Sequence, residues 1–325
     1  MKIIIPLAGK GTRMRPHTHT RAKPLFFIAG KPILGHILDS IKNNKVEEII
    51  FITGHLGKQV EEFVTNNYTF KARFIEQTEL KGQAHAVLLA KDFVKEDVLV
   101  WFVDTISDAD ISKLDTIIED GVIFVKEVKD PRRFGVVVID DQGIVKELIE
   151  KPEEPVSNLV NIGMYYAKDA SLLFSSIEEL IAQNRQTQGE FYLVDALQMM
   201  IRKGTRFKAE VVSVWEDCGK PETTLETNKY FLQKGNTQVT ETKNSVIILP
   251  VYIEKGAVVE NSIIGPNVSI AGKAHISHSI IKNTIVGEGA TVEKAHVHNS
   301  IIGDHATLKG TLRSYNVGDD SQVEH

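Results

Sequence analysis

Residues 1–16 have the sequence MKIIIPLAGKGTRMRP, and this stretch decides how the N-terminal half of the chain is interpreted. The apolar run Ile3–Leu7 is short enough for a buried strand, and it opens directly into a loop that contains Gly9 and Gly11. Glycines let backbone N–H groups turn toward an anion without a side chain in the way. Arg13 and a nearby lysine add charges that neutralise oxygens beyond the reach of the backbone. The stretch therefore predicts a strand and a loop that bind a chain of phosphates.

Length and composition favour two soluble domains. A chain of 325 residues is longer than a single hydrophobic core usually accommodates. Its contents of 25% charged and 42% hydrophobic residues are typical of soluble proteins. The net charge of -5 gives no reason to expect nucleic acid as a partner, and no segment is apolar for long enough to span a membrane. The single cysteine and the absence of a signal-peptide pattern at the N-terminus predict a cytoplasmic protein.

Apolar runs alternate with amphipathic helical patterns in the first two thirds of the chain. Strands are predicted at Ile3–Leu7, Glu48–Thr53, Arg73–Glu76, Val98–Val103, Val122–Val125 and Val136–Ile139, and helices at Lys31–Lys42, Gln83–Asp92 and Leu193–Arg202. This alternation indicates an α/β fold with a Rossmann-like, mostly parallel sheet covered on both faces. Ligands of such sheets bind beyond the carboxyl ends of the strands, where Gly9 and Gly11 lie.

The pattern changes after about Lys234. The following polar segment predicts a linker, so the expected domains are 1–234, a linker at 235–245, and 246–325. Beyond the linker, aliphatic residues recur at steps of five or six, at Ile247, Ile253, Val259, Ile264, Ile270, Ile276, Ile281, Val286, Val292, Val297, Ile302 and Leu308. This period predicts a left-handed parallel β-helix of roughly three and a half coils. From Arg313 to His325 the pattern is lost, which predicts a cap or a loose tail.

The phosphate loop is followed by further blocks in order. They are Lys23-Pro24-Leu25, Gln77–Ala86, Val103-Asp104, Pro131–Val136, Glu150-Lys151-Pro152, Asn161-Ile162-Gly163, Gly189-Glu190-Phe191 and Trp215–Gly219. With the loop, they resemble the sugar-1-phosphate nucleotidyltransferases, and glucose-1-phosphate thymidylyl- and uridylyltransferases above all. The resemblance covers about residues 1–232 and implies an enzyme with the nucleotide-diphospho-sugar transferase type of fold. A hexad domain is a common appendage in that family.

The resemblance implies a reaction in which a sugar 1-phosphate attacks the α-phosphorus of a nucleoside triphosphate and pyrophosphate leaves. The nucleophile is already an anion at neutral pH, so the reaction requires no general base. Catalysis then consists of positioning and charge neutralisation. We expect dTTP or UTP and a hexose 1-phosphate, first of all glucose 1-phosphate, as substrates, with Mg²⁺ as cofactor.

The resemblance also assigns the phosphate and metal ligands. Arg13 would bind the leaving pyrophosphate and Lys23 the α-phosphate, although each could also be a solvated surface side chain. Asp104 and Asp217 would hold Mg²⁺, which commonly takes one or two protein carboxylates. A helix N-cap is the alternative for Asp104, and a turn residue for Asp217. The expected nucleotide-binding residues are Leu7, Ala8, Gly9, Gly11, Thr12, Arg13, Gln77 and Gly82.

A second group of residues is implied for the sugar phosphate. Lys151 would bind its phosphate, and it is expected to be catalytic together with Arg13 and Lys23. Glu150 and Asn161 would bond the ring hydroxyls, because each hydroxyl both donates and accepts a hydrogen bond. Gly135 would let the backbone approach the sugar. The alternative for the Glu150-Lys151 pair is a plain surface ion pair.

Gln77 and the backbone of Gly82 would recognise the base, since an amide matches the alternating donors and acceptors of uracil or thymine. Three positions depart from the family pattern, namely Ala22, Val103 and Gln83. Because Gln83 follows Gly82 directly, the choice between the two bases stays open.

Two alternative functions follow from the same layout. A non-catalytic regulatory or scaffold subunit can share it, although its phosphate loop is typically degraded and the loop here is complete. A bifunctional enzyme could add sugar acetyl transfer in the β-helix, which contains His275, His278, His296, His298 and His305. We favour oligomerisation or a regulatory interface for the β-helix, because its faces and ends tend to be covered, and we expect a homo-oligomer.

Overall fold

The computed structural model describes residues 1–154, 156–311, 317, 318 and 322, and the chain separates into two compact units. The first unit contains residues 1–26 and 31–224, and the second contains residues 27–30 and the chain from Leu225 onward. The tail predicted from Arg313 to His325 lies largely outside the described residues. The domain bounds 1–234, 235–245 and 246–325 stay predictions. Within the described ranges, no helix has the length and apolar character needed to cross a membrane.

The strands before the β-helix are, in chain order, β1 (Lys2–Pro6), β2 (Phe27–Ile28), β3 (Lys31–Pro32), β4 (Glu48–Thr53), β5 (Ala72–Glu76), β6 (Val98–Trp101), β7 (Thr105–Ser107), β8 (Gly121–Glu127), β9 (Gly135–Ile139), β10 (Val145–Glu150), β11 (Leu159–Ala167), β12 (Phe207–Val211) and β13 (Trp215–Asp217). The helices are α1 (Ile33–Ile41), α2 (Gly57–Asn67), α3 (Gln83–Leu88), α4 (Ala170–Ala182), α5 (Leu193–Arg202) and α6 (Pro221–Gln233). Short 3₁₀ helices cover Thr12–Met14, Lys23–Leu25, Lys91–Phe93 and Ile111–Thr116.

The main sheet of the first unit has the order β10-β9-β11-β6-β1-β4-β5, and β8 joins β11 to β12. Strands β1, β4, β5 and β6 are parallel, and the residues Ile3, Ile4 and Ile5 of β1 are completely buried. These strands confirm the predicted α/β fold with its Rossmann-like sheet. Strand β11 is antiparallel to β6, β8 and β9, an arrangement that the apolar runs did not indicate.

Most predicted elements of this unit lie where expected, and β4 and α5 match their predicted bounds. The helix predicted over Gln83–Asp92 is shorter, because α3 ends at Leu88. The strand predicted over Val98–Val103 also ends early, at Trp101. There the chain turns, and the Thr105 N–H donates to the Phe102 carbonyl at 3.1 Å.

Glu48, at the start of β4, is a carboxylate inside a cluster of cations. Its side chain is 2% exposed, and its oxygens lie 3.2 Å from the Lys2 ammonium and 3.0 Å from the Arg73 guanidinium. Burial alone would raise the pKa of Glu48, but the bond with Lys2 and the charge of Arg73 outweigh burial and lower it. The cluster therefore stabilises the fold only while Glu48 is ionised.

The second unit contains a parallel β-helix, as predicted. Its strands are β14 (Val246–Ile247), β15 (Val251–Ile253), β16 (Val258–Glu260), β17 (Ile263–Ile264), β18 (Val268–Ile270), β19 (His275–Ser277), β20 (Ile280–Val286), β21 (Thr291–Glu293), β22 (His296–Ile302) and β23 (Thr307–Lys309). Val246 pairs with Ile263 and Ile263 with Ile280, so the first coils take 17 residues each. Ile280 then pairs with His296, which gives a coil of 16 residues. The coils are thus shorter than three full hexads.

Asparagines stand at one corner of successive coils. Asn267, Asn283 and Asn299 have φ values of 62°, 46° and 48°, in the left-handed region that asparagine tolerates. The Asn267 amide donates to Asn283 at 2.8 Å, and the Asn283 amide donates to Asn299 at 3.2 Å. These three corner residues are therefore hydrogen-bonded from coil to coil.

Two segments differ from the expected linker and core. In the segment predicted as a linker, Gln238 and Lys243 already form parallel bridges with Tyr252 and Glu260 of the first coil. Of the predicted inward positions, Ile247 and Ile302 are only partly buried and Leu308 is 37% exposed. Leu308 lies on β23, which pairs only with β21 among the described strands.

The histidines that suggested acetyl transfer lie on the surface of the β-helix. The exposed side chains are those of His275, His278, His296, His298 and His305. His275 lies 3.9 Å from the Glu260 carboxylate, the one ion pair recorded for these histidines in the described part of the chain. Acetyl transfer remains a hypothesis on this structure.

We predict that Glu48→Gln lowers the free energy of unfolding by about 1–3 kcal/mol at pH 7, because it leaves partly buried cations without their charged partner. The depressed pKa of Glu48 means that this stabilisation is present above the ordinary value of 4.5 and is lost as the pH falls through the pKa of the folded state. Urea unfolding of the two proteins between pH 3 and pH 7, followed by tryptophan fluorescence, measures the difference.

Glu47→Gln is the matched control for this prediction. Its carboxylate lies 3.4 Å from the same Lys2 ammonium but is 54% exposed, so its loss should change the stability by less than about 0.5 kcal/mol. Equal effects of the two substitutions, or a Glu48→Gln effect that does not become smaller as the pH falls from 7 toward 3, would contradict the assignment.

Candidate active site

The loop that follows β1 lines a cavity of about 510 Å³ in the first unit. Within this loop, Gly11 has a φ of 60°, and a side chain there would meet Lys23 Cβ and Thr18 Cγ2 at 3.2 Å. The Thr18 hydroxyl donates to the Gly11 carbonyl at 2.8 Å and holds the turn. Gly9, by contrast, has no protein atom within 4 Å of the place a Cβ would take. The backbone at Gly9 is therefore open to a ligand in the cavity.

Every residue that was predicted to bind the nucleotide lines this cavity, namely Leu7, Ala8, Gly9, Gly11, Thr12, Arg13, Gln77 and Gly82. Lys23 and Asp104 line it as well. Lys10, Leu80, Phe102 and Glu190 are among the lining residues for which no role was predicted. Lys10, Leu80 and Glu190 lie inside sequence blocks that carry the family resemblance, which was the available signal for them.

Asp104 and Asp217 come together through the short antiparallel pair β7–β13. In this pair Asp217 lies opposite Thr105, the residue after Asp104. The Cys218 N–H also donates to the Asp104 carbonyl at 3.0 Å. The strand pairing therefore places the two aspartates in adjacent backbone positions although they are far apart in the sequence.

Two cations face these aspartates. The Lys23 ammonium lies 2.9 Å from Asp104 Oδ2. The Arg13 guanidinium lies next to the Asp217 carboxylate, because both groups are close to Gly219, where an added Cβ would come within 3.1 Å of the guanidinium. Burial alone would raise the pKa of Asp104, but Lys23 and Arg13 outweigh it and lower that pKa. Burial and the negative charge of Asp104 raise the pKa of Asp217, against a 2.7 Å hydrogen bond from the Gly219 N–H.

This donor set fits a divalent cation that keeps open coordination positions. Two carboxylates supply hard oxygen ligands, and water and phosphate oxygens commonly complete the shell of such ions. In the described ranges, no group of three or more His, Cys, Asp or Glu side chains is placed to hold a metal ion. These described residues therefore do not form a closed metal site in which every ligand comes from the protein.

Gly135, Glu150 and Asn161 converge on the adjoining strands β9, β10 and β11. Gly135 pairs with Glu150, and the Asn161 amide donates to the Gly135 carbonyl at 2.9 Å. A Cβ on Gly135 would lie 2.0 Å from Asn161 Nδ2 and 3.0 Å from Glu150 Oε2. The Tyr165 hydroxyl donates to Asn161 Oδ1 and orients the amide. These three predicted residues thus form one contact group, which does not line the cavity next to Gly9.

Lys151 extends this group toward the loop before α5. Its ammonium lies 2.7 Å from the Tyr192 hydroxyl, 3.3 Å from Gln188 Oε1 and 3.6 Å from the Glu150 carboxylate. The pKa of Lys151 is raised, because Tyr192 and Glu150 outweigh the effect of burial. Neither Tyr192 nor Gln188 was predicted from the sequence, where their only signal was the neighbouring Gly189-Glu190-Phe191 block.

The predicted base-binding residues are in contact with each other. The Gln77 side chain is buried, and its amide nitrogen lies 3.3 Å from the Gly82 carbonyl and 3.1 Å from His85 Nδ1. Gly82 has a φ of 108°, and a side chain there would come within 2.6 Å of the Phe191 nitrogen. Gln83, which departs from the family pattern, lines the same cavity.

Fold and site together describe a protein with a glycine loop and a charged cavity at the carboxyl edge of an α/β sheet. Residues 2–234 match the family model described as nucleotidyl transferase, and the chain belongs to that family. The family predicted from the sequence, and with it an enzyme, is thereby confirmed.

Individual relatives agree with this assignment. The chain is 40% identical over 260 residues to the bifunctional protein GlmU of Methanocaldococcus jannaschii, covering 79% of this chain and 61% of that one. It thus spans about three fifths of the length of that relative. It is 36% identical to the low-salt glycan biosynthesis nucleotidyltransferase Agl11 of Haloferax volcanii and 31% identical to a glucose-1-phosphate thymidylyltransferase of Streptomyces griseus, each match covering 96% of this chain and 90% of the relative.

A crystal structure of a UDP-glucose pyrophosphorylase complexed with UDP-glucose shares the fold. The TM-score is 0.64 at 22% identity, and the match covers 72% of this chain and 98% of that one. At this identity the likeness concerns the fold alone.

We predict that Gly135→Ala lowers the free energy of unfolding by about 1–3 kcal/mol, because the new methyl group displaces the Asn161 amide and breaks its hydrogen bonds. In an Asn161→Ala background the same change should cost much less, since the obstructing amide is gone. Urea unfolding of the four proteins of this double-mutant cycle measures the difference. Equal costs in both backgrounds would show that Asn161 is not the obstacle.

Proposed function

We propose that this chain transfers a nucleoside monophosphate from dTTP or UTP to a hexose 1-phosphate, with glucose 1-phosphate the first candidate, and releases pyrophosphate. The observation that supports it most is the meeting of the glycine loop, Arg13, Lys23 and Asp104 around one cavity, with the distant Asp217 brought beside Asp104 by strand pairing although it does not itself line the cavity. The names of two relatives with 90% coverage, a nucleotidyltransferase and a glucose-1-phosphate thymidylyltransferase, support the same reaction class.

The main task of the site in this reaction is to bring two anions together. Arg13 and the loop backbone would bind the phosphates that leave, and Lys23 would stabilise the negative charge on the α-phosphate. Asp104 and Asp217 would hold Mg²⁺, which supplies positive charge to the phosphate oxygens when bound. No general base is needed, because the attacking phosphate is already ionised. Positioning and charge neutralisation account for the rate.

The second contact group would position the sugar phosphate. Lys151 would bind its phosphate, and the Glu150 carboxylate would accept hydrogen bonds from ring hydroxyls. The Asn161 amide already donates to Gly135 and accepts from Tyr165, so its orientation is set before the sugar arrives. A prearranged site of this kind loses little entropy when the reactants are aligned.

A panel that measures pyrophosphate release tests the proposal. It combines five nucleoside triphosphates with the 1-phosphates of glucose, galactose and 2-amino sugars, in the presence of Mg²⁺. We expect dTTP or UTP with glucose 1-phosphate to give the highest kcat/KM. A chain that releases no pyrophosphate from any pair would instead be a regulatory or scaffold subunit, and the proposal would be wrong.

We predict that Asp104→Asn reduces pyrophosphate release by about 10²–10³-fold, the scale of losing one prearranged electrostatic group. The fold should stay intact, because the substituted side chain lies in a turn and is only partly buried. Steady-state rates measure the loss of turnover, and a calorimetric Mg²⁺ titration measures the loss of metal binding. Asp141→Asn, at an exposed position, is the control and should behave as the wild type. Near-normal turnover of Asp104→Asn would exclude it as a metal ligand.

We further predict that Gly9→Ala separates ligand binding from folding. The new methyl group would meet no protein atom within 4 Å, so the free energy of unfolding should change by less than about 0.5 kcal/mol. Bound phosphates, however, would meet the methyl group, and the KM for the nucleotide should rise about tenfold, equivalent to about 1.4 kcal/mol. An unchanged KM with unchanged stability would place the phosphates elsewhere in the cavity.

A further inference from the structure

Phe191 and Tyr192 are consecutive residues that contact two different groups of candidate site residues. The Phe191 N–H donates to the Lys81 carbonyl at 3.1 Å, and the Phe191 carbonyl accepts from the Ala84 N–H at 2.9 Å. Both bonds flank Gly82, whose backbone is expected to contact the base. Gly82 and Phe191 are so close that no side chain fits between them. A displacement of Gly82 must therefore move Phe191.

Tyr192 contacts the residue expected to bind the sugar phosphate. Its hydroxyl lies 2.7 Å from the Lys151 ammonium, which also sits 4.7 Å from the centre of the Tyr192 ring. Tyr192 is buried, with 8% of its surface exposed. Lys151 has a φ of 46°, in the left-handed region that few residues with a side chain adopt. Among its contacts with Tyr192, Gln188 and Glu150, the ammonium lies nearest to the Tyr192 hydroxyl.

The neighbouring contacts leave the dipeptide little freedom to move without its partners. On one side, Thr187 and Glu190 exchange two backbone hydrogen bonds of 3.0 and 3.1 Å, and the Thr187 hydroxyl donates to Asp195 of α5 at 2.9 Å. On the other side, helix α5 begins directly after Tyr192. A movement of Phe191 is therefore passed to Tyr192 rather than absorbed by a loose loop.

We propose that the Phe191–Tyr192 dipeptide couples the two substrate subsites, which deepens and rests on the proposed function. A nucleotide bound against Gly82 fixes Phe191, and Tyr192 then holds the Lys151 ammonium where the sugar phosphate needs it. Nucleotide and sugar 1-phosphate consequently raise each other's affinity by the same factor, as linkage requires. Tyr192 acts through Lys151 and is a positioning residue.

Tyr192→Phe tests the coupling, because it keeps the ring and removes the hydroxyl. Calorimetry gives the Kd of glucose 1-phosphate with and without the saturating α,β-methylene analogue of dTTP or UTP, whichever the panel selects, in Mg²⁺. In the wild type we expect the analogue to lower this Kd by at least about fivefold, within the usual range of coupling. In Tyr192→Phe the ratio should approach one, while the Kd of the analogue measured alone should stay within about twofold.

Steady-state kinetics add an independent readout. The KM for glucose 1-phosphate should rise about tenfold in Tyr192→Phe, which corresponds to about 1.4 kcal/mol. The kcat at saturating sugar phosphate should fall much less, because Lys151 itself is still present. Gln188→Ala removes the other neutral contact of Lys151 from an exposed position, and it should lower the coupling ratio in part without any risk to folding.

Tyr166→Phe is the matched control. Its hydroxyl is also bonded to a charged side chain, Asp97, at 3.0 Å, and the residue is 2% exposed. Coupling should be unchanged there, since Asp97 immediately precedes the amino end of β6 and the predicted site lies beyond the carboxyl end of that strand. A wild-type ratio of one, or a full ratio in Tyr192→Phe, would overturn the inference. Neither result affects the proposed function, which fails only if the wild type releases no pyrophosphate in the panel.

Discussion

The Asp104 and Asp217 carboxylates lie side by side, and the rest of the site has to offset the repulsion between their negative charges. Burial and the charge of Asp104 raise the pKa of Asp217, whereas Lys23 and Arg13 keep the pKa of Asp104 low. Two carboxylates against one ammonium and one guanidinium leave no surplus of positive charge. Polyanionic phosphates would thus enter a site whose charges already cancel, which is why the proposed chemistry includes a divalent cation.

The same site depends on close backbone approach at a few glycines. Gly82 lies against the backbone of Phe191, and Gly135 lies against the Asn161 amide, so neither position has room for a side chain. These contacts join loops and strands from different parts of the chain. A prearranged surface suits a reaction whose barrier is mainly the alignment of two anions.

Local patterns predicted the elements well where the pattern was strong, as for β4 and α5. They placed two element ends too late, at Asp92 instead of Leu88 and at Val103 instead of Trp101, where a turn closed by the Thr105 N–H and the Phe102 carbonyl follows the strand. The hexad period indicated the β-helix, but it predicted neither the coil length of 16 or 17 residues nor the hydrogen bonds between corner asparagines of successive coils. The antiparallel direction of β11 had no local signal at all.

The sequence alone determined three features: the order of the apolar runs, the glycines of the phosphate loop and the types of charged residue. These features depend on local periodicity and on side-chain chemistry. Two features were decided only by the tertiary structure. One is the pairing of β7 with β13, which brings Asp217 beside Asp104; the other is the contact of Tyr192 with Lys151. Both join residues that are far apart along the chain. Such contacts follow from packing of the whole unit, which no local pattern specifies.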